Sequence, residues 1–384
     1  MTTNEQGQKA QVLIAGGGVA ALEAAIALHE IAGQRTEVTL CSPREDFIYR
    51  PFAVAEPYGA SRAMRYDLAE LAGRCGATYR CASIDAVDGE RRRAHTHDGE
   101  EIAYDYLIVA CGSRLLASVA GATIFWGVPD DRQVQDFVRD VGEKRLRRVA
   151  FTMPGGATWA LPMYELALLA QSELAKRGIG DASLVVVTPE EAPLNLFGRA
   201  VSERIAALLA ERGIEIVTGA TPIHFEDGEL AVSPRAAIEA DAVLSMPRIE
   251  GRRIAGVPHD LAGFVPVDDH GRVRGMQHAF AAGDATAFPV KQGGIAAQQA
   301  DAAAEAIAAE LGCEVEAKPL DPVLRGVLWT GAKPLYLSGY LAGGHGETSS
   351  ASEEAPWEGG AEDKLVARYL TPFLANHSSG LAIR

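Results

Sequence analysis

Gly16, Gly17 and Gly18 stand together between an apolar run and a helical pattern, in QVLIAGGGVAALEAAIALHE. Residues without side chains at such a junction leave backbone N–H groups free to close around an anion. The dipole of the following helix adds to that attraction, so the chemistry on offer is the binding of a pyrophosphate. Gly16 allows the tight turn, and Gly18 the close approach of backbone to phosphate. Ala20, in the first helical turn, joins the ligand-facing set, while Ala21 holds the third fingerprint position with a side chain small enough for close packing. Val12-Leu13-Ile14-Ala15 reads as the buried parallel strand before the turn. Leu22, Ala25, Ile26 and Ala27 give the segment after it an apolar helical face. A dinucleotide site is expected here, with a plain packing turn as the alternative.

The next strand, Val38-Thr39-Leu40-Cys41, ends at Ser42, where an NAD-binding unit would place a ribose-binding acid. Ser42 still offers a hydroxyl to a ribose, so the site survives with less preference for NAD. Two further segments extend the pattern across the chain. Ala279-Phe280-Ala281-Ala282-Gly283-Asp284-Ala285 is a short apolar strand ending in Gly-Asp, followed by an Ala-rich helical stretch from Ile295 to Ala309. Tyr104 to Ser113 reads YDYLIVACGS. These pieces resemble two signatures of flavoproteins with two dinucleotide domains. In that resemblance Asp284, after Gly283, holds the ribityl chain of FAD, and Cys111-Gly112 stands in the YDYLVIATGS segment with Cys111 in place of Thr.

A second unit of the same kind reads through the middle of the chain. Arg148–Thr152, Leu184–Val187 and Gly213–Val217 are strands, and the segments opening at Pro162 and covering Val201 to Leu209 are helices. That β-α-β-α-β order predicts parallel pairing. Its phosphate loop, MPGGATWALP, lacks the GxGxxG spacing, and Trp159 and Leu161 crowd the place of a pyrophosphate. Glu190 or Glu191 is placed to take ribose hydroxyls of NAD. A working NADH site and a retained scaffold that no longer binds NADH both stay open.

The chain is similar to the pyridine nucleotide-disulfide oxidoreductase superfamily, in the branch of sulfide:quinone and type II NADH:quinone oxidoreductases. Ser42, the aromatic run Asp46 to Pro51, and Pro162 to Ala167 (resembling PAYEFA) carry that placement. The resemblance implies an α/β fold with two Rossmann-like domains and a C-terminal cap. The FAD domain is expected over 10–120 and 240–312, the NAD(P)-binding-like domain over 121–239, and the cap over 313–384. Arg50 and Pro51 lie beside the isoalloxazine ring by resemblance alone. Sulfide oxidation needs thiolates, yet Trp159 stands where the sulfide enzymes have a redox cysteine, and no CxxC pair occurs. The expected function is therefore FAD-dependent electron transfer from NADH to a quinone-like acceptor without redox cysteines. The alternatives are a flavoenzyme oxidising an unknown small molecule with no NADH site, and a flavin-binding redox sensor without turnover.

Two residues are candidates for catalysis. Lys291, ahead of Gly293-Gly294, is placed by the family pattern to stabilise charge on the reduced ring, and its alternative is a solvated surface lysine. Glu165, among Trp159, Leu161 and Tyr164, would have a raised pKa and move protons, with a helix cap or ion pair as the alternative.

The resemblance implies a small-molecule electron donor and acceptor as partners, and composition argues against nucleic acid. With 384 residues and a net charge of −15, the chain has room for two large cores and no electrostatic case for nucleic acid. Five scattered cysteines fit a reducing cytoplasm; Cys75 and Cys81 read as ordinary buried thiols. Nine dispersed histidines offer no metal pair, so no metal is expected. Met1 to Lys9 is polar, no signal peptide is read there, and no run reaches the ~20 apolar residues of a membrane span. After the hairpin strands expected at 321–331 and 335–337, Gly343 to Gly360 reads as a mobile loop. A helix follows, with Leu365, Val366, Tyr369, Leu370 and Phe373 on one face, for core packing or a homodimer contact rather than peripheral membrane docking.

Overall fold

The computed structural model describes residues 9–143, 145–156, 159–341, 349–355, 357 and 364–381. Its first sheet is wholly parallel, in the order Ala279–Ala281, Tyr106–Val109, Ala10–Ala15, Thr36–Cys41, Thr78–Arg80. Alternation along Ala10–Ala15 divides its two faces. Val12 and Ile14 pack with the helices Val19–Ala32 and Gly293–Glu310. Leu13 and Ala15 face the antiparallel strands Ile84–Asp88, Arg93–Thr96 and Glu101–Ala103. The two helices meet through alanines, with Ala20, Ala24, Ala296, Ala300 and Ala303 all buried, which is what lets their backbones come close.

The second sheet is also parallel, in the order Thr123–Ile124, Ala242–Ser245, Arg148–Thr152, Ser183–Val187, Ile214–Val217. Helices Leu161–Lys176 and Arg199–Glu211 alternate with three of these strands, as the sequence pattern requires. The opposite face is covered by Thr221–Glu226, Glu229–Ser233 and Ile238–Glu239 through Leu230 and Val232. Together the two sheets make an α/β fold of two Rossmann-like units.

The C-terminal region corrects two expectations. Val323–Leu328 and Leu335–Tyr340 do form a hairpin, but Ser349–Ser352 adds a third strand inside the stretch read as a loop. Backbone pairing is indifferent to polar side chains at a sheet edge, and Ser350 Oγ lies 2.9 Å from Ser338 Oγ. Most of the remaining stretch, residues 343–348, 356 and 358–360, falls outside the described residues. The final helix starts at Leu370, so Leu365, Val366 and Tyr369 are not on it. Pro372 explains the boundary: it lacks an N–H and fits only the first turn, so the helix cannot extend back more than a turn beyond it.

That segment is held by a buried acid. Glu23, on the helix Val19–Ala32, accepts the N–H groups of Tyr369 (2.9 Å) and Leu370 (2.6 Å). Leu370 and Leu374 are buried against the same helix cluster, so the segment packs into the core. Among the described residues no helix is long and apolar enough to cross a membrane, and no group of His, Cys, Asp and Glu could hold a metal ion.

Asp301 faces Glu23, and its carboxyl is pushed up to about 8, first by burial and then by the Glu23 charge. An unfolded aspartate titrates near about 4, so between these values the folded state keeps a proton that the unfolded state releases. Stability should therefore fall as pH rises from about 4 towards about 8. Asp301→Asn should flatten the decline of melting temperature between about pH 5 and pH 8; identical slopes for both proteins would contradict this account.

Candidate active site

Both parallel sheets end on one cavity of about 650 Å³. The ends of Ala10–Ala15, Thr36–Cys41 and Tyr106–Val109 deliver Gly16, Gly17, Gly18, Ser42, Cys111 and Gly112 to it. The turn after Ala279–Ala281 brings Gly283 and Asp284, and the chain after Asp46–Tyr49 brings Arg50 and Pro51. Ala20, Glu165 and Lys291 also line it, so the catalytic and FAD-site candidates from the sequence converge on this space, whereas Glu190 and Glu191 do not line it.

The glycines serve different purposes. Gly16 has φ of +147°, and a Cβ there would lie 2.1 Å from Ala110 O, so the neighbouring strand alone demands glycine. Gly18 and Gly112 differ, because a Cβ at either would meet nothing within 4 Å. Their backbones face open space, and Gly18 leads into a helix with no side-chain cap. Bare backbone at a helix N-terminus, opposite the Asp284 carboxylate, fits the diphosphate and polyol of a dinucleotide.

The Gly-Asp turn is set from the helix Gly293–Glu310. Gly283 N–H donates to Gln299 Oε1 (2.8 Å), and a Cβ at Gly283 would lie 2.9 Å from Ala20 Cβ. Gln298 Nε2 donates to Val323 O (2.9 Å), and Gln298 Oε1 accepts Val323 N–H (2.9 Å). The Gln298-Gln299 pair thus ties the scaffold together.

Lys291 is 5% exposed, which rules out the solvated alternative. Its Nζ donates to Thr286 O (2.5 Å) and stands 3.7 Å from the centre of the Phe264 ring. Burial pushes its pKa down to about 8, against the pull of Asp284. Asp284 in turn is raised by burial, with Lys291 and Arg50 opposing. Arg50 is lowered chiefly by burial. Ser42 Oγ accepts Arg44 N–H (3.3 Å) at the other end of the cavity.

Glu165 turns out to be an ion-pair residue as well as a cavity residue. Its Oε1 accepts Lys364 Nζ (2.5 Å) and Trp329 N–H (2.9 Å), and both charged side chains are almost wholly buried. Burial raises the Glu165 pKa, and Lys364 draws it back. Lys364 Nζ also stands 4.4 Å from the Trp329 ring centre, and Trp329 stacks on Phe52. Sequence reasoning missed Lys364 and Trp329. Lys364 lies 199 residues from Glu165, at the end of a polar stretch, and no local pattern marks it.

One sequence expectation is narrowed and another needs correcting. Glu190 is already engaged, because its Oε2 accepts Tyr164 Oη–H (2.6 Å) and Thr188 Oγ1–H (3.0 Å). That clasp pins the strand end to the helix Leu161–Lys176, while Glu191, the other candidate, is exposed. Cys81 is exposed, while Cys75 is buried as expected. Part of the degenerate phosphate loop, residues 157–158, lies outside the described residues.

This geometry has counterparts among known proteins. The family model described as pyridine nucleotide-disulphide oxidoreductase matches residues 10–307. The chain belongs to this family. By its description this is a family of oxidoreductases. The chain is 26% identical over 240 residues to an NADH dehydrogenase-like protein of Mycobacterium tuberculosis, covering 59% of each chain. It is also 26% identical over 221 residues to the sulfide-quinone reductase of Aquifex aeolicus, covering 53% of this chain and 49% of that one. The matched regions thus span 59% and 49% of the length of these two curated relatives. The solved structure of the sulfide:quinone oxidoreductase from Aquifex aeolicus has a TM-score of 0.77 at 20% identity, covering 90% of this chain and 87% of that one.

Cys41 and Cys111 line the cavity, yet burial pushes each thiol up to about 11. Neither is a thiolate near neutrality, so neither is a ready nucleophile. Iodoacetamide at about pH 7.5 should alkylate Cys81 in the folded protein while Cys41 and Cys111 stay unmodified, as read by peptide mass spectrometry. Rapid labelling of either cavity thiol would restore a sulfur-based mechanism.

Proposed function

We propose that this chain is a FAD-dependent oxidoreductase that passes electrons to a quinone-like acceptor without thiol chemistry. The observation that carries this reading is the buried Glu165–Lys364 pair on the wall of the cavity. Reducing a quinone takes two protons with two electrons, and a buried carboxyl with a raised pKa can hold and release a proton there. Lys364 stabilises the ionised form of Glu165 between transfers, because an unpaired buried charge is strongly destabilising.

The remaining residues are assigned to the cofactor. Gly16, Gly17, Gly18 and Ala20 would cradle the pyrophosphate, Ser42 the adenosine ribose, and Asp284, after Gly283, the ribityl hydroxyls. Arg50, Pro51, Cys111 and Gly112 would flank the flavin, and Lys291 would meet charge at its reduced edge. FAD when bound supplies the two-electron reservoir. A cytoplasmic location is consistent with free cysteines throughout.

NADH as donor is supported by the name of the Mycobacterium tuberculosis relative. A donor other than NADH is favoured by the Glu190 clasp and by the cap seated on the second unit. Phe197 and Leu161 share one apolar cluster with Leu324, Leu328, Leu335 and Leu337. Anaerobic mixing with NADH decides between these donors: rapid bleaching of the flavin band, at about 450 nm, identifies NADH, and slow bleaching identifies a different donor.

Two variants test the assignments. Asp284→Ala should fold yet lose FAD, since each charge-assisted hydrogen bond to a hydroxyl contributes about 1.5–3 kcal/mol. A fully loaded yellow variant would refute that role. Glu165→Gln should slow quinone reduction by about 10²-fold while its donor reduces the flavin at the normal rate. Unchanged quinone turnover would remove Glu165 from proton transfer.

A further inference from the structure

Thr123–Ile124, Ala242–Ser245 and Arg148–Thr152 are adjacent parallel strands, in that order. The segments that leave their carboxyl ends therefore emerge side by side along one edge, the usual place for a ligand in such a sheet. Phe125 and Trp126 come after the first strand, Met246 after the second, and Trp159 lies in the loop after the third. All four line the main cavity. Leu115 and Ile249, register partners in the antiparallel pair Ser113–Leu116 and Arg248–Gly251, line it with them.

The character of this wall is unlike that of the remaining cavity. None of these six side chains carries a charge. Phe125 and Met246 are buried, whereas Trp126 and Trp159 keep part of their surface free. Trp159 is held in place by Phe197, at 5.7 Å between ring centres. The nearby hydroxyls are used internally, since Ser118 Oγ lies 2.9 Å from Ser245 Oγ and donates to Met246 O (2.6 Å). Glu165, which this unit also contributes to the cavity, is paired with Lys364. Arg252 and Arg253 line the same cavity, and they donate to Ser113 O (3.2 Å) and Leu261 O (2.8 Å).

A wall with two partly free indoles and no charge disfavours an anionic diphosphate or a hydrosulfide ion, whose burial needs a paired cation or N–H donors. It suits an uncharged flat ring, which gains by stacking and by shedding water. We propose that this edge of the second unit is a binding site for a flat, uncharged quinone-type ring. The site deepens the oxidoreductase reading above by naming what enters the crevice that a nucleotide would otherwise take.

Calorimetric titration of the oxidised FAD-loaded protein with menadione, and with its sulfonate as a charged counterpart, tests the site. Menadione should bind, and its sulfonate should bind about tenfold more weakly or worse. Trp126→Ala and Trp159→Ala should each weaken menadione about five- to thirtyfold, with FAD content unchanged. Trp159→Phe, which keeps a ring, should recover most of the affinity. Equal affinity for the wild type and both alanine variants, equal binding of the sulfonate, or displacement of menadione by NADH would overturn the proposal. Should either alanine variant fail to fold, Trp159→Phe and Trp126→Phe with the sulfonate comparison still decide it. Menadione that binds as described but is never reduced by the flavin would leave the site standing and refute the quinone-reductase reading. Menadione reduced at full rate by both alanine variants, with unaltered binding, would do the reverse.

Discussion

The close approach of two alanine-rich helices is the constraint on which the remaining structure depends. Gly283 sits where a Cβ would strike Ala20 and press on Ala296, so the Gly-Asp turn and both helix N-termini are brought to one point. Larger residues at these three positions would separate the helices and draw the turn out of the cavity. Gln299 then fixes the turn by accepting Gly283 N–H, so that the main-chain geometry of the site is set from the helix interior. The glycine turn and the Asp284 side chain line the same space because small side chains allow it.

The second organising interaction is the burial of charge in opposed sets. Lys291 with Asp284, and Glu165 with Lys364, place titratable groups on the cavity wall with pKa values moved by burial. Such groups destabilise a core that does nothing with them. Lys364 also belongs to the segment that Glu23 secures at Tyr369 and Leu370, and Leu365 N–H donates to Tyr49 Oη (3.1 Å). One short stretch near the C-terminus therefore completes the site at one end and is pinned to the first helix at the other.

The two Rossmann-like units have diverged in how they use the same edge. In the first, residues 16–18 pass directly from strand to helix, leaving bare backbone facing the cavity. In the second, residues 153–160 intervene before a helix that opens with Leu161 and Pro162. Glu190 is engaged by Tyr164 and Thr188, and the cap packs onto Phe197. The longer loop moves an indole into the crevice where the first unit presents N–H groups.

Much of this was legible in the residues alone. The glycine turn, the Gly-Asp strand end and the β-α-β order are written in local spacing, because a turn needs glycine at fixed offsets and a strand needs an apolar run. The absence of a cysteine pair was equally plain. Local spacing said nothing about Lys364, Trp329 or the Ser349–Ser352 strand, since each owes its place to a partner far away in the chain. It also left the fate of Glu190 and the setting of Lys291 undecided. Burial, pairing and pKa are properties of surroundings rather than of residues, and only the tertiary structure assembled those surroundings.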